Sequence, residues 1–231
     1  MVVGQGKNVE YKWVFSEVLE RNGMARYVGP QCRLCRREGE KLFLKGIRCD
    51  TVKCAVTKRK YPPGQFTWGR GKLSKYGTQF REKQKMKRFY GILESQFRNY
   101  FKKAERQKGN TGENMLAMLE RRLDNVLYLL SFATSRQNAR QCVRNGHITV
   151  NDKKVDIASF LVDIGDVIKA KSDETSQKAI RANFEMVKGR NVPVWIELKT
   201  DTMEGRVIQL PTRDDISANV QEQLIVELCS K

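Results

Sequence analysis

Four of the six cysteines fall close together, as Cys32-x-x-Cys35 and, after thirteen intervening residues, Cys49-x-x-x-x-Cys54. Two close thiol pairs facing across a loop can turn four sulfurs onto one ion in the tetrahedral arrangement that suits zinc. Such a site is closed, so its role would be structural. Zinc is the default metal, and an iron–sulfur cluster is the alternative that ligand softness allows. Two disulfides or reduced free thiols are the competing readings, and disulfides are disfavoured by the lack of a secretory-type apolar stretch. Arg33, Arg36 and Arg37 flank the first pair and are expected to favour the thiolate. A structural zinc, worth on the order of 10 kcal/mol in small modules, would explain how so charged a segment folds. Cys142 and Cys229 stand alone, in an expected helix and an expected strand, and read as small buried hydrophobes.

The second kind of chemistry is cationic. The chain has 44 Lys+Arg against 26 Asp+Glu, a net charge of +18. Residues 24–108 hold 24 basic and 6 acidic side chains, a difference equal to the whole net charge, while the flanking segments each sum to zero. Such an excess is self-repelling unless a polyanion neutralises it, which points to nucleic acid. The candidate contacts are Arg33, Arg36, Arg37, Lys58, Arg59, Lys60, Arg81, Lys83, Lys85, Lys87 and Arg88. Further on, Arg136, Arg140 and Arg144 recur every four residues and so project from one helix face, with Arg121 and Arg122 on the preceding helix extending the patch. His147, the single histidine, has no Ser/Asp or Cys partner at any local spacing and is placed beside the nucleic acid instead. No paired acids or cofactor loop suggest catalysis. A membrane-surface protein would need an amphipathic helix with a broad apolar face, and no window approaches the roughly 18 apolar residues of a membrane span.

The elements that must position these groups are legible in outline. Residues 29–54 read as loop-like. Helices are expected over Thr78–Tyr90 and Glu94–Arg106, and a single helix capped by Thr111 carries the apolar stripe Met115, Leu119, Leu123, Val126, Leu127 and Leu130. Thr134-Ser135-Arg136-Gln137 has capping-box spacing for a helix that runs through Val143 and stops at Asn145-Gly146. Strands are expected at His147–Val150 and Val167–Lys171, with a positive-φ turn at Asn151-Asp152. A helix over Thr175–Val187 precedes strands at Val192–Leu198, Arg206–Leu210 and Leu224–Leu228. The fold class is α+β, helices first.

The ordered motifs MARYVGPQCRLCRREGEKLFLKG (24–46), YPPGQ (61–65), REKQKMKRFYGI (81–92), ESQFRNYF (94–101), LERRLDNVLYLLSFATSRQNARQCVRNGHITVN (119–151) and EQLIVELCSK (222–231) are similar to those of the bacterial small-ribosomal-subunit protein four family. The resemblance covers about nine tenths of the chain. It implies a zinc-knuckle segment (24–61) and a basic helical domain (62–118) onto which residues 190–231 return. Between these it implies an inserted small RNA-binding module (119–189), with two helices packed on a small twisted sheet. It further implies a primary binder of the 5′ domain of small-subunit rRNA that nucleates particle assembly and helps line the mRNA entrance. Small-subunit protein five is the implied neighbour with a bearing on accuracy, and self-repression of the messenger occurs in some bacteria. The implied protein is ribosome-bound in the cytoplasm or an organellar matrix, and not an obligate homo-oligomer. In the zinc-bearing branch the metal sits on four cysteines matching Cys32, Cys35, Cys49 and Cys54. The module's RNA face carries over to Arg121, Arg122, Arg136, Arg140, Arg144 and His147.

The likeness has departures. After PGQ this chain reads Phe66-Thr67-Trp68-Gly69-Arg70-Gly71 in place of a His and a Gln-rich basic run, and the usual Asn-Gly turn is Asn151-Asp152. Residues 1–23 have no counterpart, so they are either a mis-assigned start or a lineage-specific extension whose Trp13, Phe15 and Leu19 could dock as a short helix. An RNA-modifying enzyme would need a further catalytic domain, and a zinc-dependent DNA regulator would need a recognition helix and dimer symmetry.

Overall fold

Helix α1 (Gln31–Glu38) opens the part of the chain that the computed structural model describes, residues 27–64, 73–187 and 189–230. The extension at 1–23 and the departing loop at 66–71 lie outside the described residues. The cysteine-rich segment is helical rather than loop-like: after α1 come a 3-10 turn at Gly46–Cys49 and the short α2 (Ala55–Lys58).

Helix α3 (Lys75–Tyr90) starts where the Ser74 hydroxyl accepts from Gly77 N–H, and it ends on left-handed Gly91. It runs into α4 (Glu94–Glu105), and Met86, Phe89, Phe97, Phe101 and Ala104 turn the apolar sides of both helices into one core. Helix α5 (Thr111–Glu120) is capped by Asn110, not Thr111. The apolar stripe beyond it belongs to a separate helix, α6 (Leu123–Leu129), because Arg122 adopts extended backbone and bridges to Leu161. Leu123 N–H donates to Phe160 O and Val162 N–H to Arg121 O, which fix that break.

Helix α7 (Arg136–Arg144) is capped by Ser135, one residue later than the expected Thr134, and Gly146 with its positive φ turns the chain out of it. Strand β1 (Ile148–Val150) turns through Asn151 and Asp152, both at positive φ as the sequence suggests, into β2 (Lys153–Lys154). β3 (Val167–Ala170) and α8 (Glu174–Met186) follow, then β4 (Ile196–Lys199) and β5 (Glu204–Val207). These strands form one antiparallel sheet in the order β2-β1-β3-β5-β4. The strands after residue 190 therefore join the module's sheet instead of returning to the helical domain.

The last element, α9 (Glu222–Cys229), is a helix where a strand was expected. It does return, packing on α3 and α5 with Ile225 fully buried. Its first turn lies so close to α5 that a Cβ on Gly112 would stand 2.8 Å from Glu222 Cγ. Two cores result, one among α3, α4, α5 and α9, the other between the sheet and α6 to α8, with Trp195 at its centre.

Candidate nucleic-acid interface and metal centre

Helix α1 carries Cys32 and Cys35 one turn apart, Cys49 closes the 3-10 turn, and Cys54 stands at the N-terminus of α2. These elements bring all four cysteines to the lining of one cavity of about 10 Å³, completed among others by Leu44, Lys45, Arg48 and Val56. That is the room of a single small sphere. Lys45 N–H donates to Cys49 Sγ at 3.4 Å. Burial pushes the Cys35 and Cys49 thiols up, and each is raised further by the charge that its neighbouring cysteines would carry. Burial acts the same way on Cys54, but the N–H groups of Thr57 and Val56 bring its thiol below the ordinary value.

Arg33, Arg36 and Arg37 do not hold the Cys35 thiol down as expected, since burial pushes it up. Arg33 and Arg37 are exposed, and Arg36 turns away to donate to Tyr61 O and to lie 4.8 Å from the Tyr61 ring centre. All six cysteines are free thiols. Cys142 is buried in α7, whereas Cys229 is half-buried in a helix and not in a strand. Among the described residues no group of three or more His, Cys, Asp or Glu side chains is arranged so that it could hold a metal ion.

The arginines of the module part company. Arg122 is 0% exposed: it donates to both oxygens of Asp124, at 3.0 and 2.6 Å, and to Tyr100 Oη at 2.9 Å. Arg136 is 8% exposed, with its guanidinium 3.9 Å from the Phe89 ring centre and 4.3 Å from that of Tyr128. It donates to Asn125 Oδ1, while Asn125 and Tyr90 both donate to the buried Glu120 carboxylate. The expectation that Arg122 and Arg136 meet phosphates is therefore corrected; both are interior groups that tie the module to the helical core. Arg140 is half-buried and reaches Asp124 at 3.5 Å. Arg121 is held by Val162 O and by an ion pair with Asp163. Arg144 is exposed at the end of α7, with Gln137 and Gln141 exposed on the same helix.

The basic run on α3 is likewise largely engaged. Lys83 and Lys87 hold Glu94 at 2.9 and 2.6 Å, Lys85 bridges Glu40 and Glu82, and Arg81 and Arg88 converge on Glu38. Burial would lift the Glu94 carboxyl, but the two lysine hydrogen bonds bring it down to about 2. These five cations are half-buried clamps between α1, α3 and α4, not the open phosphate-binding row that the sequence suggests.

The cations exposed to solvent lie elsewhere. Lys58 at the end of α2 and Arg59 and Lys60 after it are exposed, together with Lys41, Lys45, Arg48 and Lys53 around the cysteines. Lys102, Lys103, Arg106 and Lys108 extend the surface at the end of α4, and Lys153 and Lys154 at the sheet edge. These were missed as individual residues, although the regional charge excess contained most of them.

His147 joins a chain that local spacing could not reveal: its Nδ1 lies 2.7 Å from Ser176 Oγ, which donates to Asp173 Oδ2 at 2.6 Å.

Comparison with known proteins follows the same division. A family model described as the ribosomal protein S4/S9 N-terminal domain matches residues 26–120, and one described as the S4 domain matches 121–168. Their boundary coincides with the break between α5 and α6. The small ribosomal subunit protein uS4 of Citrifermentans bemidjiense is 59% identical over 208 residues, covering 90% of this chain and 100% of that protein. Those of Acetivibrio thermocellus and Thermodesulfovibrio yellowstonii are 56% and 55% identical over the same shares.

Proposed function

Because this chain belongs to the family of small ribosomal subunit protein uS4, we propose that it is a structural constituent of the small ribosomal subunit that binds small-subunit rRNA directly and performs no catalysis. The observation that carries this reading is coverage: the relatives match from end to end at 55–59% identity, through both lobes. The charge supports it. Lys and Arg exposed around the cysteines and at the end of α4 would neutralise phosphates, and Arg144, His147, Lys153 and Lys154 would meet a helical RNA surface by shape. The expected target is a folded junction in the 5′ domain, bound early in assembly. Small-subunit protein five and mRNA near its entry channel are the further expected partners, with the ribosome as the place of work. Among the described residues no helix is long and apolar enough to cross a membrane.

Titration of the full chain against a small-subunit rRNA transcript, with a large-subunit transcript and duplex DNA as competitors, tests the reading. If about six phosphates are neutralised, the log–log salt slope is on the order of −4 to −5. A slope near zero, or equal affinity for all three nucleic acids, would overturn it.

We also infer that Cys32, Cys35, Cys49 and Cys54 hold a structural zinc ion. The donor chemistry suits zinc: the four cysteines line one small cavity, and repulsion among their thiolates is what a dication would offset, while their side chains as they stand are not drawn into a metal-holding group. Bound zinc would supply a cross-link among α1, the 3-10 turn and α2, and no reactive position. Metal analysis of the purified chain is expected to give one zinc, lost in the Cys32→Ser/Cys35→Ser double variant. Stoichiometric metal retained by that variant would refute the site.

A further inference from the structure

His147 is the chain's single histidine, and its surroundings dictate which ring nitrogen carries the proton. Its backbone is pinned on both sides: the N–H donates to Cys142 O at 3.1 Å, and the carbonyl accepts from Lys171 N–H at 2.9 Å. The ring therefore has a fixed origin, at the point where α7 gives way to β1. Ser176, 1% exposed in the first turn of α8, stands against Nδ1 at 2.7 Å, and Asp173 stands against the same Ser176 oxygen at 2.6 Å.

Both contacts are short enough to require a proton between the heavy atoms. A serine hydroxyl has one proton to give. The Asp173 carboxylate has none: its capping hydrogen bonds from Ser176, aided by Lys171, hold it down to about 2. The hydroxyl proton goes to the carboxylate, the charge-assisted and stronger bond. The second proton must then come from the ring, so Nδ1 is the protonated nitrogen and neutral His147 carries a bare lone pair on Nε2. Among the described residues Nε2 has no hydrogen-bond partner.

Basic side chains lie on the same stretch of surface. The Lys154 side chain lies against Gly146, the residue before His147, Arg144 is exposed three residues before it on α7, and Lys171 is 46% exposed at the side chain while paired with Asp173 at 3.2 Å. A bare acceptor next to basic side chains is complementary to a hydroxyl attached next to a phosphate. Such pairs of hydroxyl and phosphate are displayed along the minor groove of A-form RNA, and DNA lacks the hydroxyl.

We propose that His147 Nε2 accepts a hydrogen bond from a ribose 2′-hydroxyl, with Asp173 and Ser176 as positioning residues that fix the tautomer, so that this contact lets the module tell RNA from DNA. The proposal rests on the RNA-binding reading above and deepens it from phosphate attraction to recognition of the sugar.

Two measurements test it. Ring-nitrogen NMR of the histidine-labelled full chain, read on the high-pH plateau of its own titration, gives the tautomer without assignment because one histidine gives one pair of signals. The expected result is a protonated Nδ1 and a bare Nε2. Ser176→Ala moves the proton toward Nε2, and Ser176→Thr, which keeps a hydroxyl, restores the original pattern. A protonated Nε2 in the unaltered chain would overturn the proposal.

The second measurement is 2′-deoxy interference, in which small-subunit rRNA transcripts with scattered deoxynucleotides are selected for binding. At one or a few positions the loss of the hydroxyl is expected to weaken binding about threefold to tenfold, and His147→Phe abolishes that sensitivity there. Binding by the unaltered chain with an identical interference map in His147→Phe overturns the ribose contact alone. Failure of the unaltered chain to bind the transcript overturns the RNA-binding reading and the ribose contact with it.

Discussion

Arg136 and Arg144 stand at the two ends of α7 and meet opposite surroundings. Arg136 compensates the buried Glu120, whose carboxyl burial pushes up and whose charge Arg136 helps to hold. Arg136→Met leaves that acid uncompensated and is expected to cost about 3–5 kcal/mol in denaturant unfolding. Arg136→Lys does not recover it, because a point ammonium cannot lie against two rings and reach Asn125. Arg144→Ala is expected to stay within about 0.5 kcal/mol of the parent while reducing the RNA-binding salt slope by about one. The sequence showed the arginine spacing but not this division, because Glu120 and Asp124, which draw the inward arginines, lie before residues 125–151, which contain no acid, and return to them only in the fold. Glu94 gives a pH signature. Its folded value of about 2 lies below the unfolded glutamate value, so its contribution is complete above about pH 5 and is lost as pH falls toward 2. Glu94→Gln is expected to flatten the stability profile across that window, measured as acid-unfolding midpoints.

At the level of elements, period and punctuation revealed most helices, while the errors came where a distant segment decides. The leucine stripe from Met115 to Leu130 keeps helical period across a break that the bridge between Arg122 and Leu161 imposes. Short apolar runs such as Leu224–Leu228 suit strand or helix alike, and packing against α3 and α5 selects the helix. The four-cysteine grouping was legible from spacing, but its helical frame was not. Gly46 shows how that frame meets the module: at φ +55 its missing Cβ would stand 2.5 Å from Thr134 O, immediately before the Ser135 cap of α7. Gly46→Ala is expected to cost about 1–3 kcal/mol from the strained φ and the clash with backbone. Calorimetry checks the loss, and Ser135→Ala, which removes only the cap, gives the comparison at about 1 kcal/mol.

For the whole molecule, the location of the charge excess in residues 24–108 was arithmetic, but its exposed share was not, since Glu38, Glu40, Glu82 and Glu94 occupy the cations of α3. The two cores are joined by Arg122 to Tyr100 and by Arg136 to Phe89 and Asn125, all inside. Helicity, and Trp195 fluorescence in a Trp13→Phe/Trp68→Phe background, are therefore expected to report one coincident unfolding transition, which Arg136→Met splits in two. That seam also decides which partner must yield. Two lobes stitched through their interiors would offer small-subunit rRNA a preset distance and angle, so that the ordering entropy of docking would fall on the RNA more than on the protein.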